Sequence, residues 1–391
     1  MVNQQAQRKN EHLSLAEKDF AINHQVDPFA DIQLIPRALP ETDLETITPQ
    51  TKLADQLSLA WPFYIEAMTG GSERTGKINQ QLATVAQQFN LAMATGSMSI
   101  IFKDDQAKDS FTVVRETNPD GIILANLGAS ATPQQAQTVI QLIDADALEI
   151  HVNVAQELVM PEGDRQFHWL ENIQAIQAAI DVPLIVKEVG SGMSVHDLDR
   201  LAQAGIQIVN ISGRGGTSFP RIESRRNHDR HYHEDLLTWG LTTPQALIES
   251  QLRHDPTQEI IASGGISSPL DVIKAGVMGS QAVGVAGYFL HQLIQGRPDA
   301  LSQEVAEWQA EITEIMTLLG VNDFQELSQV DAVLGPELYN YQQQRQHQIQ
   351  KAWKNPIGWL FMPLFVSILI IRQLRQSYRA LPIHSGEPMA E

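Results

Sequence analysis

The sequence predicts an α/β protein of the closed (β/α)8 TIM-barrel class, with a C-terminal apolar extension outside the barrel. Three observations lead there. Eight short apolar runs recur, at residues 62–68, 91–97, 121–127, 147–153, 183–189, 206–212, 259–265 and 282–288. Several are near-continuously apolar, as strands buried on both faces of a parallel sheet should be. Helix-compatible segments lie between them (76–89, 133–143, 169–180, 195–204, 244–253 and 269–275), and this alternation favours a closed parallel barrel. Lastly, residues with chemical capacity fall at the carboxyl ends of the runs: Thr69, Ser97, Asn126, His151 with Asn153, Lys187, Ser212, Gly264 and Gly287. Barrel active sites are built at that end.

An open doubly wound sheet is the competing architecture. It calls for a GxGxxG turn after the first strand, where this chain reads Met68-Thr69-Gly70-Gly71.

Composition narrows the function. The 391 residues carry 46 acidic against 27 basic side chains, a formal charge of −19. No broad basic surface is available to neutralise phosphates, so nucleic-acid binding is excluded. An anionic ligand would need a local basic site and a metal ion. With no cysteine, disulfides, thiolate nucleophiles, Cys-ligated zinc and iron–sulfur clusters are excluded. The first 18 residues are polar and do not read as a signal peptide, so the expected location is cytoplasmic.

Ser263-Gly264-Gly265-Ile266 ends the seventh run and Val285-Ala286-Gly287 the eighth. Loops after the last two strands are the usual barrel phosphate site, and glycine lets backbone N–H groups approach phosphate oxygens. Taken singly, each motif reads as a tight turn; side by side they read as a phosphate cradle, which Gly213, Gly215, Gly216 and Thr217 would extend. Lys187 follows Leu184-Ile185-Val186 and should point into the barrel mouth. There its charge suits an anionic reduced flavin. Thr69, Ser97 and Asn126 suit the polar edge of such a ring.

These residues resemble the type 2 isopentenyl-diphosphate isomerases. The resemblance runs from about Arg8 to about Arg345. Its motifs are Arg8-Lys9-x-Glu11-His12, Ala67-Met68-Thr69-Gly70-Gly71, Asn126-Leu127-Gly128, His151-x-Asn153-x-x-Gln156-Glu157 and Met160-Pro161-Glu162-Gly163-Asp164. They continue with Lys187-Glu188-Val189-Gly190, Gly215-Gly216-Thr217, Trp239-Gly240 and Ala262-Ser263-Gly264-Gly265. The resemblance implies that Arg8 and Lys9 grip a substrate diphosphate, with Asn153 and Gln156 also at the substrate. It implies FMN lined by Ala67, Met68, Thr69, Ser97, Asn126, Lys187, Ser212, Thr217, Gly264, Gly265, Ala286 and Gly287, and Mg²⁺ on Glu157. The implied reaction moves a double bond without net redox change. Reduced FMN acts as the acid–base group, NADPH serves only to reduce it, and Gln156 and His151 are further candidates for proton handling. Family members are often homo-oligomers.

There is one departure. The family commonly carries Gly-Ser-Gln after the second strand, often followed by Arg, whereas this chain reads Gly96-Ser97-Met98-Ser99, with Lys103 the nearest positive charge. The stretch 213–240 is long and polar, with Arg221, Arg225, Arg226 and Arg230, and reads as a lid. Its His228, His231 and His233 fit a mobile polar loop better than a metal site. The nearest alternative is an FMN barrel that oxidises a 2-hydroxy acid. It uses Asn-His-Gly-Gly-Arg after the sixth strand, where this chain has Gly213-Arg214-Gly215-Gly216-Thr217. A non-catalytic flavin-binding protein is the other.

The extension 346–391 breaks the trend. Residues 356–371 carry no charge, and Lys351, Lys354, Arg372, Arg375 and Arg379 flank them. Membrane contact and packing against protein are both open readings of it.

Overall fold

A computed structural model of the chain describes residues 4–23, 27–53, 56–226, 234–296 and 298–354. Eight parallel strands close into a barrel: β1 (Phe63–Ile65), β2 (Met93–Ala94), β3 (Ile123–Gly128), β4 (Ala147–His151), β5 (Leu184–Lys187), β6 (Ile208–Asn210), β7 (Glu259–Ser263) and β8 (Ala282–Val285). Each pairs with the next, and β8 returns to β1 through Val283–Phe63, Gly284–Tyr64 and Val285–Ile65. The regular ladders are shorter than the apolar runs. Beyond them the chain turns into the site loops while staying buried.

Both faces of the strands are covered, which explains the near-continuous apolar runs. On β1, Phe63 and Ile65 face outward into the core shared with the helices, as do Leu148 and Ile150 on β4 and Val283 and Val285 on β8. Tyr64, Ala94, Leu124, Ala147, Ile185, Ile208, Ile261 and Ala282 pack inside the barrel, as the two-residue period requires. Leu53, Leu57 and Leu59 join this inner cluster from a short antiparallel pair, Thr51–Leu53 with Leu57–Leu59. That pair plugs the amino end, so the open end is the carboxyl one.

Helix α1 (Gln4–Asn23) precedes the barrel. Around it follow α2 (Glu73–Phe89), α3 (Asp109–Thr117), α4 (Pro133–Ile143), α5 (Val154–Val159), α6 (Leu170–Gln177) and α7 (Val195–Gln203). Next come α8 (Phe219–Arg226), α9 (Glu234–Leu237), α10 (Thr243–Gln251), α11 (Pro269–Val277), α12 (Gly287–Gly296), α13 (Pro298–Leu319) and α14 (Pro336–Lys354). Several starts are written in the sequence. Thr132, Thr242 and Ser268 each cap a helix whose first turn holds proline and whose third residue returns the capping bond. Site loops therefore end at fixed points.

The stretch read as one polar loop contains α8 and α9. Ile222 and Glu223 of α8 are buried. His228, His231 and His233 lie outside the described residues, as does the apolar segment 356–371. By its contacts the chain divides at residue 342, and the barrel belongs to the first unit. Among the described residues no helix is long and apolar enough to cross a membrane.

Candidate active site

A cavity of about 780 Å³ opens at the carboxyl end of the barrel, within the range of cofactor and substrate pockets. The structure gathers nearly all the residues singled out above around it. Lys9, Ala67, Met68, Thr69, Ser97, Asn126, His151, Asn153, Gln156 and Glu157 line it, with Lys187, Ser212, Thr217, Gly264, Gly265, Ala286 and Gly287. The side chain of Arg8 lies outside the described residues.

One wall is built for close backbone approach. Gly264 has φ +95°, and a Cβ there would fall 1.9 Å from the Gly213 carbonyl oxygen. Only glycine fits. Thr243 Oγ1 donates to the carbonyls of Ser263 and Gly264, at 3.0 and 2.6 Å, fixing the turn from behind. Beside it α12 starts directly after β8, with no acidic residue in its first turn. By contrast, α11 fills its N-terminus with its own Ser268 and Asp271. A helix start left open toward a cavity favours an anion. The cavity volume, this cradle and a buried lysine together fit the phosphate and ring of FMN.

The floor is a buried polar network inside the barrel. Lys187 Nζ lies 3.5 Å from Glu66 Oε1. Glu66 Oε2 accepts from Asn210 Nδ2 at 2.6 Å and from the Tyr64 hydroxyl at 3.0 Å. That hydroxyl is also 3.4 Å from Glu149 Oε1, and Ser263 Oγ donates to Asn210 Oδ1 at 2.8 Å. Small inward residues make the room: a Cβ on Gly284 would meet Glu66 Oε2 at 2.5 Å. Burial alone would pull the Lys187 pKa down, but Glu66, Glu149 and Glu188 more than offset it, so the ammonium persists. Burial and then Glu66 push the Glu149 carboxyl up to about 8. Burial, Lys187 and Lys9 push His151 down to about 3, so its imidazole is neutral.

The opposite wall belongs to α5 and α8. Asn153 Nδ2 donates to Gln156 Oε1 at 3.2 Å and to Glu157 Oε1 at 2.9 Å. Glu157 Oε2 accepts from the Asp164 backbone at 2.7 Å, because Arg165 ties the following loop to the Glu157 and Met160 carbonyls. Gln156 Nε2 donates to Glu223 Oε1 at 3.3 Å. His12 Nε2 approaches the same oxygen at 2.9 Å, and Arg226 pairs with Oε2. Among the described residues no group of three or more His, Asp or Glu side chains could hold a metal by itself.

At the departure from the family pattern, Met98 turns into the apolar core, while Ser99 and Lys103 line the cavity and Ser99 Oγ meets Ser97 Oγ at 3.2 Å. Sequence reasoning missed Tyr64, Glu66, Glu149 and Asn210 in the floor and Glu223 in the wall. For Glu66 and Glu149 a signal existed: an acid inside an apolar strand, two residues from Tyr64 and from His151, must face inward with them.

Barrel, phosphate cradle and buried lysine together define a flavin-dependent (β/α)8 enzyme. Residues 103–333 match the family model of FMN-dependent dehydrogenases, which assigns the cofactor. The chain belongs to the FMN-dependent, type 2 isopentenyl-diphosphate delta-isomerase family. The isopentenyl-diphosphate delta-isomerase of Limosilactobacillus reuteri (strain JCM 1112) is 53% identical over 345 residues, covering 88% of this chain and 99% of the relative. That of Latilactobacillus sakei is 45% identical over 343 residues, with 87% and 97% covered. That of Streptomyces sp. (strain CL190) is 40% identical, with 86% and 92% covered. Among solved structures, mandelate oxidase with (S)-2-phenylpropionate superposes with a TM-score of 0.55 at 18% identity, covering 83% of this chain and 90% of that one. This likeness concerns the fold alone.

Proposed function

We propose that the enzyme interconverts isopentenyl and dimethylallyl diphosphate, with reduced FMN in the cavity, Mg²⁺ on the diphosphate and NADPH as the reductant. The observation that carries this reading is the convergence of the phosphate cradle, the Lys187 floor and the Asn153–Gln156–Glu157 wall on one cavity. Bound and reduced, FMN supplies an acid–base group and an electron-rich ring that stabilises cationic character in the substrate.

The chain's own residues hold and orient. Ala67, Met68, Thr69, Ser97, Asn126, Lys187, Ser212, Thr217, Gly264, Gly265, Ala286 and Gly287 would hold FMN, with Lys187 favouring its anionic form. Lys9, joined by Arg8, would neutralise the diphosphate. Each Glu157 oxygen accepts one bond, from Asn153 or Asp164, so the carboxylate is fixed with lone pairs to spare. One carboxylate, substrate oxygens and waters are a usual Mg²⁺ shell. Gln156, braced between Asn153 and Glu223, would orient the substrate. His151 is neutral and suits accepting a hydrogen bond.

Anaerobic incubation with FMN, NADPH, Mg²⁺ and isopentenyl diphosphate tests the reading by the appearance of dimethylallyl diphosphate. Turnover with oxidised flavin would contradict the acid–base role. Oxidation of a 2-hydroxy acid is disfavoured. Arg214 after β6 is exposed and outside the cavity lining, and no histidine stands beside it.

The same reading takes the enzyme to be a cytoplasmic homo-oligomer. From composition, we propose that residues 356–371 with their basic flanks contact an anionic membrane surface. Sixteen uncharged residues fall short of the roughly 20 that span a bilayer, while basic flanks favour anionic headgroups.

A further inference from the structure

One buried carboxyl in the barrel has no task in the mechanism above. Glu149 lies on β4, two residues before His151, and is fully buried. Its partner in register is Asn126 of β3, and Gly128 stands opposite His151. The three polar side chains form a line. Glu149 Oε2 accepts from Asn126 Nδ2 at 2.9 Å, and Asn126 Oδ1 meets His151 Nδ1 at 2.8 Å.

The amide has one donor end and one acceptor end. A carboxyl oxygen can accept from the donor end whether Glu149 is ionised or protonated. His151 therefore meets the acceptor end, so Nδ1 carries the proton and Nε2 keeps its lone pair. That nitrogen is uncrowded at the cavity rim, because glycine at 128 leaves it room: a Cβ there would sit 3.3 Å away. Turning the amide over would set its carbonyl against Glu149 Oε2, a contact that a carboxylate cannot satisfy and that a protonated carboxyl satisfies only with its proton on that oxygen, whereas the orientation found is satisfied in both states.

We infer that Glu149 is a positioning residue which, through Asn126, fixes His151 as the Nδ1-protonated neutral tautomer and so presents Nε2 to the cavity as an acceptor. The depressed pKa of His151, about 3, acts in the same sense. The ligand group that His151 meets is then an N–H or O–H, and a bare phosphate oxygen is disfavoured. The inference rests on the proposed function only in taking His151 as part of the site.

Histidine-selective ¹⁵N labelling of the full-length, FMN-loaded enzyme tests it, with the His151 signal assigned by its loss in His151→Gln. At pH 7 long-range ¹H–¹⁵N correlations should show a pyrrole-type Nδ1 and a pyridine-type Nε2. Glu149→Gln should keep that pattern, since its carbonyl still accepts from Asn126. Glu149→Met should move the tautomer ratio toward Nε2–H by about fivefold or more, the size of one net hydrogen bond. Glu149→Asp, which withdraws the carboxyl by one methylene, should move it the same way and covers the case in which the methionine variant does not fold. An Nε2–H imidazole or an imidazolium in the wild type overturns the inference, as does an unchanged ratio in a folded Glu149→Met or Glu149→Asp. The expected spectrum in a protein that fails to isomerise would sink the functional reading and support this one. Isomerisation with an Nε2–H imidazole would do the reverse.

Discussion

Lys187 and the two carboxyls beside it show how narrowly the barrel interior is balanced. Lys187 is 4% exposed and Glu149 is 0% exposed, so neither group has water to fall back on. Replacing Lys187 with Met leaves Glu66 and Glu149 facing each other in a desolvated interior. Removing one partner of a buried pair costs about 3–5 kcal/mol, and urea unfolding should show a loss of that size together with loss of bound FMN. Glu149 also ties stability to pH. Its pKa stands near 8 in the folded chain against 4.5 ordinarily, so the folded state binds the proton more tightly. The stability it contributes is complete below pH ~4.5 and is lost as pH rises toward about 8, with a slope of at most ~1.4 kcal/mol per pH unit. Between pH 6 and 8 the full chain should lose stability that Glu149→Gln retains. Parallel slopes for the two proteins would contradict the raised pKa.

At the scale of elements, the turn between β7 and α11 carries the sharpest demand. Gly264→Ala adds a Cβ that has no place beside the Gly213 carbonyl, at a φ that side-chain-bearing residues rarely adopt. Strain of this kind costs ~1–3 kcal/mol, and the cradle must open to relieve it. The variant should fold yet purify with little FMN, read as the flavin absorbance per chain. This turn was legible in the sequence because Gly264-Gly265 and Gly287 stand side by side at the ends of the last two strands. Strand identities were legible for a related reason: burial on both faces writes long apolar runs, and threonine or serine caps with proline mark the helix starts. Ladder lengths were not legible, since residues such as Thr95 and Ser212 stay buried after regular pairing ends. Glu223 was hidden because its polar, arginine-rich neighbourhood reads as solvated. It becomes a site residue only when α8 folds across Gln156 and His12. Glu66 shares the inward face with Tyr64, and Glu149 with His151, by the two-residue period of a strand, but a lone acid inside an apolar run reads as an interruption of the strand.

At the scale of the whole molecule, the extension and the barrel oppose each other in charge. The chain carries −19, yet no acidic residue occurs between Glu337 and Glu387. A protein so negative is repelled by an anionic bilayer, so the proposed membrane contact would have to come from a local basic and apolar segment. Each basic residue near such a surface contributes about 1 kcal/mol, and salt screens it within a Debye length of roughly 10 Å. Full-length protein should therefore sediment with phosphatidylserine vesicles at low ionic strength, weakly with neutral ones, and less as salt is raised. Protein ending at Lys354 should stay in the supernatant. The truncated enzyme should also keep its FMN and its turnover, because the Limosilactobacillus reuteri relative is covered to 99% of its length by 345 matched residues, and every cavity-lining residue precedes 291. Vesicle binding that survives truncation would move the membrane contact onto the barrel, and loss of FMN on truncation would make the extension part of the catalytic unit.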